Sequence, residues 1–251
     1  MPQDHGYRTA LVTGASRGVG AEVVKSLVAE GLEVWALARP SEALQALAAE
    51  TGCHALAADL TDDREATDAL AGLDIDVLVN NAGAISAVKP FVDLSVPETD
   101  AMLSLNLRAP LRVTATLLPG MIERRRGHIF AVTSLFGPYA GPNMAVYCAT
   151  KAALRSFCAC LRMDLAGTGI RVTEIAPGRT ETGIYLDAFG GDSDALDEKL
   201  FTGYRTLQPE DVAAALIAAL RLPARADVNI LELSPTDQAA GGMVFAERDA
   251  V

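Results

Sequence analysis

Short apolar runs alternate with amphipathic segments along almost the whole chain. The runs are rich in Val, Ile and Leu and predict strands over residues 8–13, 33–38, 54–58, 75–80, 128–133, 170–176 and 228–233. Segments rich in Ala and Leu at helical spacing predict helices over residues 18–30, 41–50, 62–71, 98–123, 145–167 and 209–220. Because strands without polar alternation must be buried on both faces, we predict a doubly wound α/β fold in which helices cover a parallel seven-stranded sheet.

No repeat, low-complexity segment or linker divides the 251 residues, so we predict one domain over residues 1–251. The least regular stretch, residues 179–206, carries four glycines and several acidic residues. Long irregular segments in compact domains are usually functional, and we expect this one to form a lid over the substrate. The tail after Pro235, which carries Gly241 and Gly242, has few packing signals.

Composition and charge narrow the classes of partner. Half of the residues are apolar, which is enough for a buried core. The formal charge is −11, from 32 acidic against 21 basic residues, and this argues against a surface for nucleic acid or anionic lipid. The polar start and the lack of 18 consecutive apolar residues indicate neither export nor a membrane span. We therefore expect a cytoplasmic protein with a small-molecule substrate.

The cysteines and histidines show no spacing typical of a metal site. The four cysteines contain no CxxC pair, and the three histidines are scattered along the chain. We expect reduced thiols in the core and no bound metal.

The stretch TGASRGVG, residues 13–20, follows the first predicted strand and allows two interpretations. Gly14-x-Ser16-x-Gly18 has the spelling of a hydrolase nucleophile elbow, which needs a later acid and a histidine base. Only His54 and His128 follow Ser16, and neither lies near the C-terminal end where that base is expected. A hydrolase is therefore the weaker interpretation.

The same glycines suit the phosphates of a dinucleotide. Gly14 permits a tight turn, Gly18 lets the backbone approach a pyrophosphate, and Gly20 allows close packing of the following helix. Arg39 follows the second predicted strand and Arg17 lies in the loop, so both offer charged donors to a 2′-phosphate. NAD-binding proteins place a carboxylate there instead. We therefore predict NADP(H) as the cofactor, with NAD(H) as the alternative.

A second group of polar residues is typical of proton transfer. In YCATK, Tyr147 and Lys151 are four residues apart at the start of a predicted helix and share one face. Tyr147 suits proton donation, and Lys151 is expected to lower the pKa of its phenol. Ser134, at the end of the fifth predicted strand, can donate a hydrogen bond to the reacting oxygen. Asn106 lies within a predicted helix, although asparagine is a poor helix former.

These motifs resemble those of the short-chain dehydrogenase/reductase family over nearly the whole chain. The resemblance extends to Asn80-Asn81-Ala82-Gly83, Pro177-Gly178-x-x-x-Thr182 and Asp59. It implies a Rossmann-type fold of three layers with strand order 3-2-1-4-5-6-7. It also implies that Asn106, Ser134, Tyr147 and Lys151 are the catalytic set, with Asn106 holding a water that connects Lys151 to solvent. The cofactor-binding residues it implies, together with the loop residues above, are Gly14, Ser16, Arg17, Gly18, Val19, Gly20, Arg39, Asp59, Leu60, Asn80, Ala82, Gly83, Tyr147, Lys151, Pro177, Gly178, Thr180 and Thr182.

We therefore predict an NADP(H)-dependent oxidoreductase that transfers hydride between the nicotinamide and a small carbonyl compound or secondary alcohol. Two alternatives remain: an NAD-dependent alcohol or hydroxy-acid dehydrogenase of the same family, and a dinucleotide-binding regulator without catalysis. A regulator has no need for Tyr147 and Lys151. Pro235, directly after the last predicted strand, weakens an assignment as a ketoacyl-carrier reductase.

The substrate pocket is expected to be apolar or mixed. Its candidate residues are Phe136, Tyr139, Met144, Ile184, Tyr185 and Phe189. A strongly anionic substrate is not expected, although Arg179 or Arg205 could bind one carboxylate. The resemblance also implies a homo-oligomer, a dimer or tetramer, that pairs the helices predicted over residues 98–123 and 145–167. Both segments carry more apolar residues than one buried face requires.

Overall fold

A computed structural model describes residues 6–203 and 205–238, and the strands in these ranges form one parallel sheet. The order across the sheet is β3-β2-β1-β4-β5-β6-β7, as predicted. The strands are β1 (Thr9–Thr13), β2 (Glu33–Ala38), β3 (His54–Ala57), β4 (Val77–Asn80), β5 (Gly127–Val132), β6 (Ile170–Pro177) and β7 (Ile230–Leu233). The helices are α1 (Gly18–Ala29), α2 (Glu42–Thr51), α3 (Asp63–Leu70), α4 (Val96–Leu103), α5 (Ala109–Arg124), α6 (Ala145–Asp164), α7 (Ser193–Leu200) and α8 (Pro209–Leu220). The predicted fold class is confirmed.

The sheet is buried on both faces, which explains why its central strands lack polar alternation. Successive side chains of a strand point to opposite faces. In β4, Val77 and Val79 belong to the cluster that includes Val23 of α1 and Leu216 of α8. Leu78, between them, belongs to the cluster on the other face, with residues of α5 and α6.

The segment predicted as one helix over residues 98–123 is interrupted. Between α4 and α5 the backbone forms a π-helical turn, Ser104–Arg108. Pro110, near the start of α5, has no amide hydrogen to donate to the carbonyl of Asn106 one turn earlier. The apolar periodicity continues through this turn, so the hydrophobic pattern does not reveal it. Such turns occur frequently at functional sites.

Residues 179–206 contain more regular structure than predicted. Two short 3-10 turns, Gly183–Tyr185 and Asp187–Phe189, precede α7. The Asp192 side chain accepts a hydrogen bond from the Ala195 amide and caps the helix start. Leu196 is buried, so tertiary packing adds to the stability of a short helix that contains no glycine itself, although glycines flank it. Tyr204 and the predicted tail at Gly241 and Gly242 lie outside the described residues.

The helices predicted over residues 98–123 and 145–167 were expected to pair between subunits, but some of their apolar residues are buried within the chain itself. Met102, Leu117, Leu154 and Leu161 are buried. Exposed apolar side chains on the same elements are Leu103, Ile122 and Met163. The homo-oligomer therefore stays a prediction. In the described part of the chain, no helix combines the length and the apolar character that a bilayer crossing requires.

A buried arginine ties the last helix to the sheet. Arg171 of β6 is 3% exposed, and its guanidinium donates hydrogen bonds of 3.0–3.3 Å to four backbone carbonyls at and beyond the end of α8. Those carbonyls belong to Ala219, Leu220, Leu222 and Ala226. The last carbonyls of a helix lack intrahelical donors and carry partial negative charge, so a cation here stabilises the helix end.

We expect Arg171→Met to lower the free energy of unfolding by about 3 kcal/mol, because it leaves buried carbonyls without a donor. Urea denaturation at neutral pH measures this change. Arg64→Met is the matched control, since the Arg64 side chain is 91% exposed and pairs with Asp68 at the surface. The control should change stability by less than about 0.5 kcal/mol. Equal losses in the two variants would contradict the structural role of Arg171.

Candidate active site

A cleft of about 1340 Å³ opens at the carboxyl ends of the strands. It lies where ligands bind in sheets of this topology, beside the point between β1 and β4 at which the strand order reverses. Most of the predicted site residues line it, namely Gly14, Ser16, Arg17, Gly18, Val19, Arg39, Asp59, Leu60, Ala82, Gly83, Ser134, Tyr147, Lys151, Pro177, Gly178, Thr180 and Thr182. The three that do not are Gly20, Asn80 and Asn106. The structure therefore brings the glycine loop and the proton-transfer residues into one cavity.

The glycine loop packs directly against the segment that follows β4. Gly14 has φ +66°, and a Cβ there would lie 2.7 Å from the Ala82 Cα. A Cβ on Gly20 would lie 2.3 Å from the Gly14 carbonyl oxygen, so Gly20 serves the close helix packing predicted for it and lies behind the cleft wall. These two positions have no room for a larger residue.

Asn81, which belongs to the motif after β4 but was not among the predicted site residues, connects the two loops. Its side-chain amide donates to the carbonyls of Thr13, at 2.9 Å, and Gly14, at 3.2 Å. The Thr13 hydroxyl accepts from the amides of Asn81 and Ala82, at 3.0 and 3.1 Å. The neighbouring Asn80 was predicted to contact the cofactor, but it is buried and donates to the Thr114 hydroxyl of α5 at 2.9 Å. The two asparagines are adjacent in sequence, and their opposite directions follow from the alternation of side chains along β4.

The start of α1 is suited to an anion. Arg17 is the N-cap residue, and no side chain caps the helix. By contrast, side chains cap α2, α3, α4 and α7. The first backbone N–H groups of α1 and the partial positive charge of the helix therefore face the glycine loop. Arg17 and Arg39, both exposed, line the cleft at this end together with Ser41.

Tyr147, Ser134 and Lys151 also line the cleft. Tyr147 and Lys151 lie on successive turns of α6, and Ser134 follows β5. The Ser134 hydroxyl is hydrogen-bonded to the Tyr147 phenol and also accepts from the Phe136 amide at 3.1 Å. Lys151 Nζ donates to the Val132 carbonyl at 2.9 Å and lies 5.7 Å from the centroid of the Tyr147 ring. This is the geometry that the sequence predicts for a proton-transfer site.

Burial controls the protonation of both α6 residues. It raises the pKa of Tyr147 above its ordinary value, with a further increase from Tyr185, while the hydrogen bond with Ser134 opposes the shift. Burial lowers the pKa of Lys151 to about 8. The balance at Tyr147 differs from the expectation that Lys151 lowers its pKa. The reason is that the loss of water around the charged phenolate is the largest influence on this pKa.

Asn106 lies in the π-helical turn and does not line the cleft, but its hydrogen bonds support residues that do. Its side-chain oxygen accepts from the Ala84 amide at 2.8 Å, and its side-chain nitrogen donates to the Ala84 carbonyl at 2.9 Å. The same nitrogen is 3.4 Å from the Thr150 hydroxyl, which donates to the Tyr147 carbonyl at 2.7 Å. A Cβ on Gly83 would lie 3.2 Å from the Asn106 oxygen. Asn106 thus links the loop after β4 to α6, and its water relay stays a prediction.

The substrate end of the cleft is mixed in character. Of the predicted pocket residues, Phe136, Tyr139, Ile184 and Tyr185 line the cleft. Met144 is buried in the cluster that contains Tyr147, and Phe189 does not line the cleft, so these two predictions are corrected. Lining residues that the sequence did not indicate include Ser86, Asp100, Ser104 and Gln238. Gln238 reaches the cleft from beyond β7, a contact between distant segments that no local pattern predicts.

The two arginines that the sequence offers as ligands for a substrate carboxylate differ in whether they line the cleft. Arg179 lines the cleft. Arg205 does not, and its guanidinium pairs with the buried carboxylate of Asp237, with the closest contact at 2.9 Å.

Among the residues that the structure describes, no histidine is placed to act as the base of the hydrolase interpretation. His54 pairs with Glu33 at 2.8 Å, and His128 is buried against the Thr173 hydroxyl at 2.8 Å. Neither histidine lines the cleft that contains Ser16.

Comparison with known proteins decides the family. The family model described as short chain dehydrogenase matches residues 8–189. The chain belongs to the short-chain dehydrogenase family. Its predicted family and enzyme class, acting on hydroxyl or carbonyl groups, are thereby confirmed.

Among its relatives, the serine 3-dehydrogenase of Rhizobium radiobacter is 39% identical over 249 residues, which cover 95% of this chain and 98% of that protein. An NADP-dependent 3-hydroxy acid dehydrogenase of Salmonella typhi is 40% identical over 243 residues, covering 93% and 97% of the two chains. Among solved structures, the closed form of a serine dehydrogenase complexed with NADP+ superposes with a TM-score of 0.89 at 35% identity. The match covers 96% of this chain and 100% of that one.

The buried lysine of this dehydrogenase should reduce its stability. Burial lowers the pKa of Lys151 from 10.5 to about 8, so the folded state binds fewer protons than the unfolded state between these pH values. The stability of the wild type therefore rises with pH across this window. We expect Lys151→Met to be about 2 kcal/mol more stable than the wild type at pH 7, with the gain shrinking as pH rises from 8 to 10.5.

Urea denaturation at several pH values measures this difference. Lys199→Met, on the exposed side of α7, is the control and should show no such pH-dependent gain. A constant difference between wild type and Lys151→Met from pH 7 to 10.5 would contradict the burial of a charged lysine.

Proposed function

We propose that this chain is an NADP(H)-dependent oxidoreductase that interconverts a small carbonyl compound and the corresponding alcohol. The observation that carries the proposal is the shared cleft, which is lined both by the glycine loop and by Tyr147, Ser134 and Lys151. The cofactor named for the relatives supports NADP(H), since one is an NADP-dependent dehydrogenase and one solved structure holds NADP+. The regulator alternative is disfavoured, because a binding protein gains nothing from a buried lysine beside a buried tyrosine.

The residues present fit a dinucleotide with a 2′-phosphate. The uncapped start of α1 and the glycine loop suit the pyrophosphate. Arg17 and Arg39 supply the positive charge for the extra phosphate, and Ser41 offers a hydroxyl beside them. Asp59 also lines the cleft, and the family resemblance implies that it would lie near the adenine ring. The cleft is also lined by Pro177, at the end of β6, and by Gly178, Thr180 and Thr182 after it. The family resemblance implies that the nicotinamide would lie beside this segment.

Tyr147 handles the proton in the proposed reaction. Bound NADPH supplies a hydride to the carbonyl carbon. The Tyr147 phenol, whose pKa is raised by burial, remains protonated at neutral pH and donates its proton to the carbonyl oxygen. The Ser134 hydroxyl donates a hydrogen bond to the same oxygen and holds it beside the phenol. Lys151 stabilises the phenolate that remains, because a nearby cation favours the anionic form.

The names of the relatives indicate where to look for the substrate. They are a serine 3-dehydrogenase and a 3-hydroxy acid dehydrogenase, so small 3-hydroxy acids and their ketones are the first compounds to test. The lining of Phe136, Tyr139 and Ile184 suits a short apolar or mixed substrate.

We expect Tyr147→Phe to lower kcat by about 10³-fold, because it removes the transferable proton while keeping the ring. Nicotinamide absorbance measures turnover in both directions. The affinity for NADPH, measured by fluorescence titration, should stay within about threefold of the wild type. Retention of most activity with any good substrate would remove Tyr147 from the mechanism.

We expect Arg39→Ala to lower the preference for NADPH over NADH by about 10- to 100-fold, because a charge-assisted hydrogen bond to the 2′-phosphate is lost. The ratio of kcat/KM for the two cofactors is the measurement. Arg64→Ala, a highly exposed position outside the cleft, is the control. An unchanged ratio in Arg39→Ala would show that this arginine does not read the phosphate.

A further inference from the structure

A carboxyl group is buried behind the cleft, between the sheet and α6. Glu174 of β6 has no exposed surface and does not line the cleft. Val172, two residues earlier on the same strand, belongs to the buried cluster that includes residues of α5 and α6, so Glu174 points to that face as well. Burying a carboxyl group costs free energy, and an acid retained at such a cost is a candidate for a functional role.

The hydrogen bond of Glu174 leads to the wall of the cleft. The Thr133 hydroxyl donates to Oε1 of Glu174 at 2.7 Å, and the same hydroxyl lies 3.3 Å from the Ile175 carbonyl. The other carboxyl oxygen of Glu174, Oε2, is buried and has no hydrogen-bond donor among the described residues. Thr133, just past the end of β5, is itself buried and lines the cleft. The carboxyl group therefore reaches the cleft through one hydroxyl.

Thr133 stands between the two residues that hold the proton-transfer groups. The carbonyl of Val132, directly before it, accepts a hydrogen bond from Lys151 Nζ at 2.9 Å. The hydroxyl of Ser134, directly after it, is hydrogen-bonded to the Tyr147 phenol. Because the three residues are consecutive, a displacement of Thr133 moves both contacts at once.

Charged side chains of α6 and β7 surround the buried carboxyl group. Nη1 of Arg155, in α6, lies 2.9 Å from Oε1 of Glu232 in β7 and 3.6 Å from Oε1 of Glu174. The second distance is too long for a hydrogen bond. Burial raises the pKa of Glu174, and the hydrogen bond from Thr133 is the largest influence that opposes this increase. The charges of Arg155 and Arg162 oppose it as well, whereas Glu232 adds to it.

We propose that Glu174 is a positioning residue for the proton-transfer site. By accepting the hydrogen bond of the Thr133 hydroxyl, it fixes the end of β5, so that the neighbouring carbonyl and hydroxyl groups meet Lys151 and Tyr147. The inference rests on the proposed oxidoreductase function. The competing explanation is that Glu174 only balances the charge of Arg155 and stabilises the fold.

The first variant of the test is Thr133→Val, which removes the hydroxyl with little change in volume. We expect kcat to fall by about tenfold, because the proton donor and its partners are displaced, while KM for NADPH stays within about threefold of the wild type. Nicotinamide absorbance measures turnover of the carbonyl compound that the wild type reduces fastest. The variant also leaves a buried carboxyl group without its donor, so the thermal midpoint should fall by about 5 °C. Thr133→Ser keeps the hydroxyl and should restore kcat to within about threefold.

Glu174→Met breaks the same hydrogen bond without changing a residue of the cleft wall. Its kcat should therefore fall as far as that of Thr133→Val. Combining the two substitutions should lower kcat no further, because both remove one interaction. Glu174→Gln keeps an oxygen that accepts from Thr133 and should retain kcat within about threefold.

The combined variant separates positioning from stability. It no longer buries a carboxyl group without a donor, so its thermal midpoint should recover to within about 2 °C of the wild type. Its kcat should stay about tenfold low, because the end of β5 still lacks its anchor. If Glu174 served stability alone, kcat would recover together with the thermal midpoint.

Thr173 provides the matched control, as the residue directly before Glu174 on β6. It is equally buried, but its hydroxyl is paired with His128 and it does not line the cleft. Thr173→Val should lower the thermal midpoint about as much as Thr133→Val and leave kcat within about twofold of the wild type. Glu232→Gln, which removes a partner of Arg155 and leaves Thr133 untouched, should also leave kcat unchanged.

The outcomes separate this inference from the proposed function. A kcat that recovers with stability in the combined variant, or a wild-type kcat in Glu174→Met, would overturn the inference and leave the proposed function intact. A loss of kcat in Thr173→Val equal to that in Thr133→Val would also overturn it, since the effect would then follow stability. A wild type that binds NADP(H) but turns over no alcohol or carbonyl compound would overturn both.

Discussion

The hydroxyl of Thr13 holds together the two strands between which the order of the sheet reverses. It donates to the Val79 carbonyl at 3.3 Å and accepts from the amides of Asn81 and Ala82. At this reversal the connections leave in opposite directions and open a crevice at the carboxyl edge of the sheet. Asn81 closes the contact from the other side by bonding to the glycine loop. The cleft therefore owes its position to parallel topology and its shape to a few hydrogen bonds across the reversal.

The buried lysine of the site built on this frame reduces the stability of the fold at neutral pH. Lys151 is buried with a lowered pKa, and Tyr147 is buried with a raised one. Both shifts reflect the loss of water around the charged form. A phenol that keeps its proton at neutral pH and a cation directly behind it are useful for carbonyl reduction. The turn that contains Asn106 is π-helical rather than regular α-helix. From this turn, the Asn106 side chain holds the loop after β4 against α6.

Sequence patterns predict the sheet well because its strands are buried on both sides, so their apolar runs need no tertiary information. They predict the glycine loop equally well, because Gly14 and Gly20 occupy positions where a Cβ would meet backbone. They fail at the interruption between α4 and α5, where one proline changes the hydrogen-bond pattern inside a continuous apolar periodicity. They also miss α7, a short helix between glycines that is capped by Asp192 and held by the burial of Leu196.

By itself, the sequence determined the alternation of strands and helices, the strand that carries each site residue and the chemical type of each candidate. These properties depend on local periodicity, on residue type and on spacing within one element. Only the tertiary structure decided that Asn81 faces the glycine loop while Asn80 faces α5. It also decided that Arg179 lines the cleft while Arg205 is paired with Asp237. The physical reason is that the direction of a side chain, its burial and its partner depend on distant segments, and folding alone brings these together.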